Sequence, residues 1–140
     1  MSVPPSERRV IKPDGWAAPR GYSDAVATSG GRLIVLAGQV GWNPATQQFE
    51  TDDLAAQVRQ ALENISTLLK AAGAEAHHLV RLTWYVTDRD AYFAARPEIG
   101  RAYRQVIGLE YPPMSVVFVS ALVDERAKVE IEATAAVPAG

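Results

Sequence analysis

Cysteine is absent from the 140 residues. That excludes disulfide staples, thiolate catalysis and zinc held on cysteine sulfur. Histidine is scarce as well, with only the adjacent His77 and His78. Neighbouring side chains near the end of a loop are expected to diverge into solvent, whereas metal ligands must converge from spaced positions. No structural metal is expected. No apolar run approaches the ~20 residues a membrane helix needs. The polar, proline-bearing start, residues 1–9, lacks the apolar stretch of a signal peptide. The expectation is a cytoplasmic protein with no membrane partner. Charge of one sign is also missing. Lys and Arg number 14 against 16 Asp and Glu, net -2, with a pI of about 5.7. A nucleic-acid binder concentrates positive charge on one face, so no nucleic-acid partner is expected. No G-x-G-x-x-G, Walker or G-x-S-x-G pattern is present, which argues against nucleotide cradles and a serine triad.

What is present suits one packed domain. Hydrophobic residues make up 48% and charged residues 21% of the chain, enough for a core and too apolar for wholesale disorder. Residues 1–8 are expected as a disordered or extended tail and 9–140 as a single domain. A short strand is expected over 8–12, stopped by Pro13, Asp14 and Gly15. A hairpin is expected next, with arms 24–29 and 32–40 around Gly30 and Gly31. Leu54, Val58, Leu62, Ile65 and Leu69 recur at helical spacing, with Thr51 or Asp52 as cap and Gly73 as the C-terminal stop. Residues 79–87 alternate as a strand, 90–108 favour a helix that Pro97 should break or restart, and 114–122 and 128–137 are two further strands. The order β-β-β-α-β-α-β-β predicts an α+β fold, a mixed six-stranded sheet in one layer and two helices in the other. Val117 and Val119 alternate with Val116 and Phe118, so the sheet face away from the helices should also be apolar. Such a face favours self-association.

Few residues stand out for chemistry. Glu130 and Glu132 share one strand face, ~7 Å apart. They suit acid-base work or, on pattern alone, a solvated sheet surface. Gly38 follows the apolar run 33–37 and marks either close packing or backbone approach to a ligand. Trp16 and Trp42 sit in loops beside glycine and proline, as packed lids or as pocket walls. Trp84 suits the core or a subunit interface.

Several motifs together resemble the YjgF/RidA (reactive intermediate deaminase) family, also known as endoribonuclease L-PSP-like. Gly21-Tyr-Ser-Asp-Ala-Val and Leu36-Ala-Gly-Gln-Val-Gly-Trp-Asn-Pro are similar to its P-Y-S-x-A-V and V-S-G-Q-I-P-x-D-P. Gln57-Val-Arg-Gln-Ala-Leu-Glu-Asn-Ile is similar to its Q-T-x-Q-x-L-x-N-I, Tyr111-Pro-Pro-Met-Ser to its P-A-R-S turn, and Val129-Glu-Ile-Glu-Ala to its closing strand. The resemblance implies a chorismate-mutase-like fold, a homotrimer with small-molecule sites in clefts between subunits, and hydrolysis of imines or enamines such as 2-aminoacrylate without metal or organic cofactor. It places Tyr22, Gly38 and Glu130 in the site, with Glu130 activating water and Met114 pointing at all three. Met114 stands where the family's deaminases carry the arginine that clamps the substrate carboxylate. A thioether offers no planar cationic fork, so weak turnover of 2-aminoacrylate is expected. Trp16, Trp42 and Met114 suggest a pocket for a larger or less anionic ligand, and Arg20 is a candidate substitute charge. Two other functions compete: a non-catalytic metabolite sensor or chaperone-like protein, and, with less support from the charge, an endoribonuclease. The apolar second face and the resemblance together predict a homotrimer. Sedimentation velocity at micromolar concentration should give the trimer mass, and a stable monomer would sink the expectation.

Overall fold

The computed structural model describes residues 8–138, so the expected tail at 1–7 lies outside the described residues and Arg8 already belongs to a strand. The strands are β1 (Arg8–Ile11), β2 (Ala25–Thr28), β3 (Arg32–Val35), β4 (Gln39–Val40), β5 (Leu79–Val86), β6 (Met114–Phe118) and β7 (Val129–Val137), and the helices are α1 (Leu54–Ala71) and α2 (Arg89–Val106). The class is α+β, with two helices packed on a mixed sheet. β7 runs antiparallel to β3, β4 and β5, while β5 and β6 run parallel around α2.

The expected hairpin and single six-stranded sheet need correction. β2 pairs with β1 in a separate two-stranded ribbon, and β3 pairs with β7. The Gly30-Gly31 turn causes this. Both glycines are left-handed, and a Cβ on Gly31 would lie 2.0 Å from the Val137 carbonyl oxygen. The turn therefore presses on the end of β7 and hands the chain to that strand. The second arm also breaks at 36–38, so only Gln39 and Val40 form β4. Strand β6 stops at Phe118, short of the expected 122.

Helix α1 forms because its apolar positions make one stripe. Val58, Leu62, Ile65 and Leu69 are at most 1% exposed, each contributing about 1.5–3 kcal/mol. Its cap is Asp53 rather than Thr51 or Asp52: the carboxylate accepts from the Ala56 N–H at 2.9 Å. At the other end Ala74 N–H reaches Leu69 O and Gly73 N–H reaches Lys70 O, with Gly73 at φ 77. This is a Schellman stop. Helix α2 starts on an Asp88 cap and continues through Pro97 without a break. Pro97 lies on the exposed side, where water can satisfy the carbonyl that its missing N–H leaves free.

Strand parity divides the sheet. Leu82, Trp84 and Val86 on β5 and Val129, Ile131, Ala133 and Ala135 on β7 are buried under the helices. Their alternates share the other face: Thr83 opposite Glu132, and Tyr85 between Glu130 and Val117. That face is less apolar than expected. Its centre is polar, and its exposed apolar side chains are Val117 and, at the β3 edge, Leu33 and Val35, 67% and 70% exposed.

Two buried amides on α1 tie the layers together. Gln57, fully buried, donates to the Thr51 and Arg126 carbonyls and accepts from the Lys128 N–H at 2.8 Å. Asn64 donates to the carbonyls of Val40 and Trp42. Gln57→Leu keeps the volume but strands three backbone groups, each costing about 1–3 kcal/mol when buried and unpaired. Chemical denaturation should show a loss of about 3 kcal/mol or more, well beyond the change for an exposed α1 variant such as Glu63→Gln.

Candidate functional site

On the sheet face away from the helices, Gly38 and Glu130 are packed together. A Cβ on Gly38 would lie 2.4 Å from Glu130 Oε2, so only glycine admits the carboxylate in this position. Gly38 is placed there by the break between β3 and β4, and Glu130 by its pairing with Val40 and Tyr85. Glu130 is half-buried, and no hydrogen bond to its carboxylate is found among the described residues. Glu132, two residues on, is engaged: the Tyr85 hydroxyl donates to its Oε1 at 2.7 Å. That hydrogen bond, then desolvation and the charges of Glu132 and Glu130, raise the Tyr85 pKa above its ordinary value. The two carboxylates thus differ: Glu132 is held by a phenol, Glu130 is available.

Met114 lies on the opposite face. Its register partner on β5 is Leu82, which faces the helices, whereas that of Glu130 is Tyr85. Within one chain Met114 and Glu130 therefore face opposite ways, because β6 enters with Met114 in phase with Leu82; the expected meeting of these residues is in a cleft between subunits. Met114 lines a cavity of about 220 Å³ between β6 and α2. Trp84 and Val116 complete the sheet wall, and Arg20 and Gly21 close one side. The 20–23 loop is pinned there, because Ser23 donates through Oγ to the Tyr111 carbonyl at 2.5 Å and through N–H to that of Pro112. Tyr22 is part of this loop and is exposed. Tyr103 bridges the aromatic wall, stacked on Tyr111 with centroids 5.1 Å apart and on Trp84 at 6.5 Å. Its hydroxyl donates to the Glu110 carbonyl. Burial first, then Tyr111 and Glu110, raise its pKa beyond the ordinary phenol range.

The other sequence candidates fall elsewhere. Trp42 packs in a small cluster with Val40, Phe49, Leu122 and Ala127, and does not line the cavity. Trp16 is 59% exposed and its backbone N–H closes a turn onto the Pro13 carbonyl. Trp84 is core. His77 and His78 do not diverge: their ring centroids lie 4.0 Å apart with the planes tilted by 47°, and His78 Nδ1 accepts the Glu75 N–H. Sequence reasoning missed Tyr85, and also Arg96, Gly100 and Arg104, whose spacing of four residues along α2 was the available signal.

The comparisons with known proteins agree with one another. The family described as Endoribonuclease L-PSP matches residues 14–137. The chain belongs to the YjgF/Rid family. This Rid chain is 34% identical over 114 residues to Protein DfrA of Myxococcus xanthus, covering 81% of this chain and 83% of that one. It is 32% identical over 131 residues to the human 2-iminobutanoate/2-iminopropanoate deaminase, covering 91% and 89%. The crystal structure of YyfB from Yersinia pestis, a Rid-family protein of unknown function, superposes with a TM-score of 0.82 at 36% identity, covering 93% and 98%. Among the described Rid residues no helix is long and apolar enough to cross a membrane.

The Tyr85–Glu132 pair yields a titration prediction. Tyr85 has a raised folded pKa, so the stabilisation is full below the unfolded value near 10 and is lost as pH rises through the folded value. Glu132→Gln removes the charge, and phenolate absorbance should then report one tyrosine ionising at lower pH than in the wild type. An unchanged titration curve would contradict the assignment.

Proposed function

We propose that the protein is a cytoplasmic homotrimer that hydrolyses a small imine or enamine to a carbonyl compound and ammonia, in clefts where one subunit's β6–α2 cavity meets the Gly38–Glu130 face of its neighbour. The observation that carries this reading is the seat of Glu130 against Gly38. It is a half-buried carboxylate with free acceptor capacity, held beside a backbone stripped of its side chain. A general base needs that freedom and that fixed position. Parity supports the shared cleft: the cavity and the carboxylate lie on opposite faces of one sheet, so a ligand touching both needs two copies of the chain.

The chemistry asks for little else. Glu130 takes a proton from water as the oxygen adds to the C=N carbon. That proton passes to nitrogen to give the carbinolamine, whose hydroxyl proton Glu130 then carries to nitrogen as the C–N bond breaks and ammonia leaves. Imine plus water becomes carbonyl compound plus ammonia. The deaminase name of the human relative agrees with this reaction class. Met114 offers no charge to a substrate carboxylate, and a charge-assisted fork is among the stronger orienting contacts, so turnover of 2-aminoacrylate is expected to be weak.

The test is ammonia release from imines generated in solution, corrected for the buffer reaction. Glu130→Gln should lower it by about 100-fold or more, the usual span of general-base catalysis. Gly38→Ala should lower it too, because the new methyl displaces the carboxylate. Tight ligand binding with no release above buffer would overturn the enzymatic reading in favour of a sensor.

A further inference from the structure

Three arginines line the β6–α2 cavity and no acidic residue does. Arg96 and Arg104 come from α2, and Arg20 comes from the loop opposite. In a chain with a net charge of -2, that is a local excess of positive charge. Among the described residues none of the three has an ion-pair partner. Arg96 rests only on the ring of Phe93, with Cζ 5.5 Å from the centroid.

Two of them share one face of α2. Arg96, Gly100 and Arg104 stand at i, i+4 and i+8 on one helical face. A long helical side chain leans over the turn before it, so Arg104 folds back over Gly100. A Cβ on Gly100 would lie 3.2 Å from Arg104 Nη1. The missing side chain leaves a seat for the guanidinium at the cavity mouth.

The floor has a complementary need. Trp84 is 4% exposed, and its Nε1 has no hydrogen-bond partner. An indole N–H is a donor only, and a buried donor without an acceptor is rare. Around it stand the rings of Tyr92, Tyr103 and Tyr111. A cavity of roughly 150 Å³ is enough to hold benzene, and this one, at about 220 Å³, has room for a ring with an acidic group attached.

We infer that Arg96 and Arg104, facing Arg20, form an anion clamp that takes over the role left vacant at Met114, and that the ligand is a carboxylate carrying a planar aromatic group. This rests on the imine-hydrolysis reading for its substrate class, 2-imino acids with aromatic side chains, but not for binding itself. Moving the cation from the strand to the helix moves the carboxylate outward. The space that an arginine would fill at 114 is left to the ring, against the Met114 thioether and the tyrosine wall.

The test separates binding from catalysis. Benzoate and its neutral isostere benzamide are titrated into the full-length protein by calorimetry. Wild type should prefer benzoate. Arg96→Gln/Arg104→Gln should weaken benzoate by roughly tenfold or more, the worth of one or two charge-assisted contacts, and leave benzamide unchanged. Arg104→Lys should restore part of the loss. Both arginines are exposed, so the variants should fold, which circular dichroism checks. Equal binding of the two probes, or benzoate binding unmoved by the double variant, overturns the clamp. In parallel, hydrolysis of the imine of phenylalanine is followed. Arginine-dependent benzoate binding without hydrolysis keeps the clamp and defeats the deaminase reading. Hydrolysis that needs Glu130 but not the arginines does the reverse.

Discussion

The buried amide of Gln57 is the constraint on which the site's geometry depends. It reaches from α1 to the carbonyls of Thr51 and Arg126 and takes the N–H of Lys128. Those partners are the residues that lead into α1 and into β7. Two turns along the helix, Asn64 holds the carbonyls of Val40 and Trp42. Between them Gly41 lies so close to α1 that a Cβ would come within 2.5 Å of the Gln57 carbonyl. The helix thus grips the start of β7 and the end of β4 together. Gly38 and Glu130 sit two or three residues from those grips, so their mutual packing follows from amides that never touch a ligand.

The second constraint is strand parity. A residue in phase with Leu82 must face the helices and one in phase with Tyr85 must face away. Met114 and Glu130 fall in opposite phases. One chain therefore carries two separate features: a cationic, aromatic cavity under α2 and a glycine-backed carboxylate on the other side. The exposed Leu33 and Val35 add apolar surface at the rim of that second face.

The helical and strand elements were largely legible, since their signals are local. The α1 stripe, the Gly73 stop and the alternation of β5 and β7 each need only a dozen neighbouring residues. The failures share one cause. Whether Gly30-Gly31 folds β3 back onto β2 depends on the end of β7, more than a hundred residues away in sequence. Whether Pro97 breaks α2 depends on which side of the helix meets water. Trp42 and Trp16 suited either packed lids or pocket walls, and packing assigned one to a small core cluster and left the other at the surface.

The sequence by itself determined the family and the α+β class, because motifs and periodicity are written in residue order. It also excluded cysteine chemistry outright. Tertiary structure alone decided which of two adjacent glutamates is free, since Tyr85 reaches Glu132 only across the β5–β7 pairing. It alone gathered Arg20 with Arg96 and Arg104 around one cavity, because a loop pinned by Ser23 must fold over to meet the helix. Facing side chains are a property of register and packing, and a linear chain contains those only implicitly.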